Sequence, residues 1–279
     1  MALPSSGTLS LSQIQTEFGG SNPISMSEYY RGGPYVTTNN TGVPTSGAIR
    51  ISNFYGAVKQ FAFTNTTNYS SPQNLRSLAI AAGWNQSDAL LVTNNAIFSS
   101  DTTGAAALTI NGSFPNGLIF VNNSYVVGMG GRGGDAGANG SPGGTALAVG
   151  SSVTITNNGV LAGGGGGGSS SQSFGWCGVV LTTAGGGGGS GLTQSQGGTG
   201  VYGAVGNPSS PSGAFYSVPG AGYSSGACGV LNTPSGSGGG WGSAGASTGG
   251  YSGGAAGAAV TGNGFISWAA TGTRYGPIS

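Results

Sequence analysis

The sequence predicts a mainly β, partly irregular fold: a small strand-and-turn N-terminal module, a β-rich neck, and a C-terminal bundle of polyglycine II helices with connecting loops. Three observations carry this. Of 62 glycines, 12 lie in residues 1–127 and 50 in residues 128–279, which sets a boundary near Gly128. Short apolar segments separated by Asn–Asn, Asn–Gly and Pro–Asn–Gly turns read as strands. Charged residues make up only 4% of the chain, against about 25% in an average soluble protein.

Residues 1–57 contain an internal repeat. Pro4–Ile14 reappears as Pro44–Phe54, each a Pro-x-Ser-Gly turn followed by two alternating apolar residues, Leu9 and Leu11 or Ile49 and Ile51. The alternation predicts a short strand, after which Ser12 or Ser52 caps a helical turn. Ser25–Tyr30 reads as a further short helical turn. So small a unit buries too little apolar area to stand alone and needs a docking surface.

Residues 58–127 form the neck. The segment Asn74–Ala82 is helix-like, with Leu75, Leu78 and Ala79 on one face and Gly83 as a stop. Strands are predicted at Ala89–Thr93, Ala107–Ile110, Leu118–Val121 and Tyr125–Val127. A second repeat crosses into the glycine-rich part, where Ile119–Gly128 parallels Val153–Gly163: strand, Asn–Asn turn, strand, glycine run. A weaker echo lies at Ala259–Trp268.

For residues 128–279 three readings compete. Disordered Gly/Ser linkers normally carry high charge, which is missing here. Collagen needs glycine at every third position, and Gly163–Gly168 and Gly185–Gly189 break that period. Extended polyglycine helices make no internal hydrogen bonds, but they can pack closely enough to supply one another's partners. A bundle of these is the expected architecture. Its reversals fall in the non-glycine insertions, and the aromatic residues there, Phe174, Trp176, Phe215, Tyr216, Tyr223 and Trp241, are candidate contact residues on rigid loops. The opposing reading makes the same rings a small core that plugs the bundle.

Composition also excludes chemistry. Histidine is absent, which removes the commonest general base and zinc ligand. The acidic residues Glu17, Glu28, Asp88, Asp101 and Asp135 are scattered in sequence, so no catalytic site, metal site or cofactor is expected. Gly128–Gly133 satisfies G-x-G-x-x-G, but no amphipathic helix follows it. A net charge of +1 gives no footprint for nucleic acid, and no apolar run is long enough for membrane insertion. Cys177 and Cys228 read either as a disulfide or as two small buried residues.

The segments Leu9–Gly20, Ser27–Gly33 and Ile51–Ala57 resemble the start of tailed-bacteriophage minor tail and tail-fibre proteins. Val127–Gly134 and Trp268–Gly276 are similar to their glycine-rich ends. The second half is similar in design to the long tail-fibre adhesins of T-even-like phages. That resemblance implies an adhesin at the tail tip or tail fibre of the virion, with residues 1–57 attaching to other tail proteins, 58–127 as neck and 128–279 as tip. The partner on the host is then an outer-membrane protein or a surface polysaccharide, and the assembly a homotrimer. The rival functions are a purely structural tail-tip or baseplate component, an ice-binding protein, and a polysaccharide-degrading enzyme.

Overall fold

The computed structural model describes residues 2–135, 137–171, 189, 191–192 and 235–279. The N-terminal module contains helix α1 (Leu11–Phe18) and two 3₁₀ turns, Met26–Tyr29 and Ile51–Phe54. The expected strands at Leu9–Leu11 and Ile49–Ile51 do not form, because the residue between each apolar pair starts a helical turn instead. Ser10, Ser25 and Arg50 are the N-caps. Their backbone N–H groups donate to the side chains of Gln13 (2.8 Å), Glu28 (3.1 Å) and Asn53 (2.8 Å) three positions on, the reach-back half of a capping box.

The sequence pattern is thus threefold: apolar, cap, apolar, Ser, Gln/Glu/Asn, large apolar. The last position is Ile14, Tyr29 or Phe54, and all three are fully buried. Phe54 packs edge-on against both Phe18 and Tyr29, with ring centroids 6.3 Å apart in each pair. Burial raises the Tyr29 phenol pKa above its ordinary value, and Glu28 adds to the rise. The hydroxyl donates to the Gly19 carbonyl at 2.7 Å.

From Gln60 onward the chain winds as a three-faced parallel solenoid. The first turn runs through β1 (Gln60–Asn65), a bridge at Tyr69, and β2 (Gln73–Asn74), followed by helix α2 (Leu75–Ala81) capped by Asn74. The second turn is β3 (Ala89–Asn94), β4 (Phe98–Ser99) and β5 (Leu108–Ile110), and the third is β6 (Leu118–Asn122), β7 (Tyr125–Val127) and β8 (Leu147–Val149). The fourth is β9 (Val153–Asn157), β10 (Val160–Ala162) and β11 (Val260–Thr261). The fifth holds β12 (Ile266–Ala270), β13 (Thr273–Tyr275) and a bridge at Ile278. Each turn adds one strand per face, giving sheets β1-β3-β6-β9-β12, β4-β7-β10-β13 and β2-β5-β8-β11. Every pairing is parallel. Inward positions stack in register, with Val92, Phe120 and Ile155 buried on the first face and Val126 and Leu161 on the second.

Where the first face turns into the second, the inward residue is asparagine on four successive turns. Asn65 donates to Asn94 (2.9 Å), Asn94 to Asn122 (2.9 Å), Asn122 to Asn157 (2.8 Å), and Asn157 to the Thr271 carbonyl (2.9 Å). Buried amides need partners, and each finds one only if the turns stay in register. A second row, Asn95, Asn123 and Asn158, repeats the ladder outside, with both bonds at 2.9 Å.

The sheets correct the expected fold class. A mainly β character holds, but the C-terminal part is not a separate helical bundle. Strands β11–β13, beyond the glycine tracts, close the same three sheets that begin at Gln60, and only two α-helices occur among the described residues. The physical reason is that strand-forming residues recur once per turn, and a few stacked apolar positions outweigh long glycine stretches between them. The glycine stretches are excursions between the second and third faces on turns three and four.

These excursions exchange backbone hydrogen bonds at every third residue. Gly128, Gly131 and Gly134 donate to Ala162, Gly165 and Gly168 at 2.7–2.9 Å. Gly164 and Gly167 donate to Gly144 and Ser141, both at 2.9 Å, and receive bonds from Gly257 (2.8 Å) and Gly254 (2.7 Å). Gly163–Gly168 runs through the middle. A Cβ on Gly166 would lie 1.9 Å from the Gly254 carbonyl oxygen, on Gly167 1.9 Å from that of Arg132, and on Gly168 2.0 Å from that of Gly236. No direction around this segment accepts a side chain, which accounts for six glycines in a row.

Two predictions follow from this packing. Asn122→Ala leaves the Asn94 donor and the Asn157 acceptor unpaired in the interior, and should cost about 3 kcal/mol in a urea unfolding titration. Gly166→Ala should lower the thermal midpoint sharply, whereas Gly264→Ala, which has no atom within 4 Å of its added Cβ, should leave it within a degree or so.

Candidate functional site

Two regions stand apart from the regular solenoid. The first is the root from which the insertions depart. Ser170 bridges antiparallel to both Ala138 and Ser235, and Gly236 donates to the Ser169 carbonyl at 2.8 Å. Ser169 and Ser170 are fully buried. Of the described residues between these anchors, Gly189 lies on the same lattice, its N–H donating to the Gly131 carbonyl at 2.8 Å. Ser170, Gly189 and Ser235, which bracket the insertions, are thus all held on a backbone-paired lattice.

Of the aromatic candidates, Phe174, Trp176, Phe215, Tyr216 and Tyr223 lie outside the described residues, as do Cys177 and Cys228. Trp241 is described. It is 7% exposed and lies on the outer side of the second sheet, against Val127 and Ala162. Tyr125 and Tyr275 flank its ring, at centroid distances of 6.4 and 6.0 Å. Gly242 carries φ +61°, and a Cβ there would meet the Gly276 nitrogen at 2.2 Å. The chain can thus turn beneath Trp241 only as glycine. The indole N–H has no acceptor among the described residues. Tyr125 and Tyr275 are not singled out by the sequence: they stand at opposite ends, the first residue of β7 and the last of β13, on the two strands that flank β10.

The second region is the N-terminal module. Ile51 and Tyr55 beside the third cap are 38% and 39% exposed, and the Tyr55 hydroxyl donates to the Gly7 carbonyl at 2.5 Å. The module is tied to the start of the solenoid by Glu17, which accepts from the Lys59 N–H at 2.9 Å, and by Asn40, bonded to both backbone groups of Val58 at 2.8 and 3.0 Å.

No group of three metal-ligating side chains occurs among the described residues, and no described helix is long and apolar enough to cross a membrane. The described residues thus form a parallel β-solenoid with a small capping-box module at its start. The family model of the phage tail fibre adhesin Gp38 matches residues 60–279, and the chain belongs to that family. It is thus a component of the virion tail fibre that binds host receptors. In structure it is similar to the gp37–gp38 adhesin tip complex of the bacteriophage S16 long tail fibre: TM-score 0.62, 26% identity, 96% of this chain and 97% of that chain covered. No curated protein sequence matches it.

The orphaned indole sets a prediction. Trp241→Phe keeps most of the ring contact and removes the unpaired N–H, so stability should be unchanged or slightly higher. Trp241→Ala should cost about 3–5 kcal/mol in the same unfolding experiment.

Proposed function

We propose that this chain is a non-catalytic adsorption tip whose receptor contacts come from the insertions between Ser171 and Ser235. The observation that carries the reading is the antiparallel bridge Ser170–Ser235, which brings both ends of a long insertion to one point of a rigid lattice. Recognition residues concentrate on loops held by a stiff scaffold. Phe174, Trp176, Phe215, Tyr216 and Tyr223 are the proposed contacts, on a host outer-membrane protein or surface polysaccharide. Trp241, buried under two tyrosines, acts as the root of the tip.

The N-terminal module is proposed to seat the chain on the fibre, in the manner that the S16 relative's complex with gp37 suggests. Three copies of one cap geometry within 57 residues fit a partner with threefold symmetry. On this reading one copy of the chain seats on such a partner, in place of a homotrimer of this chain. Residues 58–127 begin the solenoid that carries the tip away from that joint.

Replacing residues 193–234 by a short Gly-Ser linker in the full chain should abolish its competition with phage for adsorption to host cells while leaving its melting transition in place. Competition that persists in the folded variant would sink the loop assignment. Ile51→Asp should abolish capture by the fibre protein without lowering the melting temperature, and sedimentation should show the free chain as a single copy.

A further inference from the structure

Charge is scarce in this protein, with five acidic and six basic residues in 279, yet three of the eleven meet at one place. A cavity of about 300 Å³ lies where the second-turn connection faces the third-turn excursion, lined by Asp101, Thr102, Thr103, Met129, Gly130, Arg132 and Ser141. Asp135 holds the Arg132 guanidinium at its rim through paired bonds of 2.8 and 2.9 Å. Pockets of this size with a few convergent polar groups are where small ligands bind.

The cavity is held rigidly. Ser100, fully buried, donates to the Thr102 carbonyl at 2.7 Å and accepts from the Thr102 N–H at 3.2 Å, which fixes the turn carrying Asp101. Opposite, Ser141 donates from its backbone to the Arg132 carbonyl at 2.8 Å, and Gly144 to that of Met129 at 2.7 Å. A Cβ on Gly144 would stand 3.1 Å from the Thr103 Cα, so the two walls already touch. Against this fixed frame, the Asp101 carboxylate and the Thr103 and Ser141 hydroxyls bond to no other described group. An acceptor-only carboxylate, two hydroxyls that donate or accept, and an apolar Met129–Gly130 floor form a set that matches vicinal hydroxyls and a pyranose face.

We infer that this cavity is a saccharide subsite for a neutral hexose, separate from the loop insertions. Arg132 is neutralised by Asp135, so Asp101 leaves the site with one net negative charge. That charge repels sugar acids and favours uncharged rings. The subsite rests on the adhesin reading for the origin of its sugar, a host surface glycan, but not for its chemistry. Its role is a weak second contact that adds avidity to the loops.

The test is heteronuclear NMR on the full chain, titrated with methyl α-glucopyranoside and methyl α-galactopyranoside and, separately, with N-acetylneuraminic acid. At least one hexoside should produce saturable shifts at Thr102, Thr103, Gly130 and the Arg132 side chain, while the acid produces none. Asp101→Asn and Thr103→Val should each weaken binding about tenfold, with unchanged melting temperature. Absence of saturable shifts at these residues with both hexosides overturns the proposal, as does binding that survives both substitutions or equal binding of the acid. Sugar binding by the purified chain is read independently of cell adsorption, so failure here leaves the loop assignment standing.

Discussion

Backbone amides that leave water must find a partner, and in this chain that requirement shapes almost everything. With so few charged residues and so many glycines, side chains supply little of the pairing. The protein meets the demand between successive passes of its own chain. In the solenoid, each turn lies in register on the one before, and the sheets run through five turns. In the glycine excursions, extended segments surround Gly163–Gly168 and trade a hydrogen bond at every third residue. Both regions are built by lateral backbone pairing between segments far apart in sequence.

The two kinds of pairing are joined covalently and by packing. Each excursion leaves at the end of a second-face strand, β7 or β10, and returns at β8 or β11. The lattice therefore inherits its spacing from the stacked strands: Gly128 bonds to Ala162 as the continuation of Val127 beside Ala162. Trp241 locks the returning strand of the lattice against the same sheet. Rigidity is the functional gain. Glycine loses more conformational freedom on folding than any other residue, and the dense pairing offsets that cost. What results is a backbone-paired platform from which the insertions depart.

The N-terminal module follows a different physical rule. Its three helical turns are too short to be stable by themselves. Each is stabilised by a side chain reaching back to the cap N–H and by one fully buried residue, Ile14, Tyr29 or Phe54. Outward-facing Ile51 and Tyr55 and the absence of any sheet among residues 2–57 mark it as a unit distinct from the solenoid. Its ties to residues 58 and 59 through Asn40 and Glu17 set where the solenoid starts.

By itself the sequence determined the adhesin family, the helix beginning after Asn74, the strands from Ala89 to Val127, and the demand of the glycine tracts for lateral partners, because each is written in local composition or spacing. It also carried the repeat Ile119–Gly128 against Val153–Gly163, which the structure shows to be two solenoid turns in register. Two further copies of that repeat, at Phe63–Tyr69 and Val92–Phe98, share its asparagine but are separated from it by unequal insertions, so the period stayed hidden. Only the tertiary structure decided that β11–β13 return to the sheets begun at Gln60. It alone showed that Trp241 is buried between Tyr125 and Tyr275, and that Asp101, Thr103, Arg132 and Ser141 share one cavity. Each of these depends on which distant segments stack on one another. That choice is made by the register of buried asparagines and apolar columns over the whole solenoid, a property that no single stretch of the chain contains.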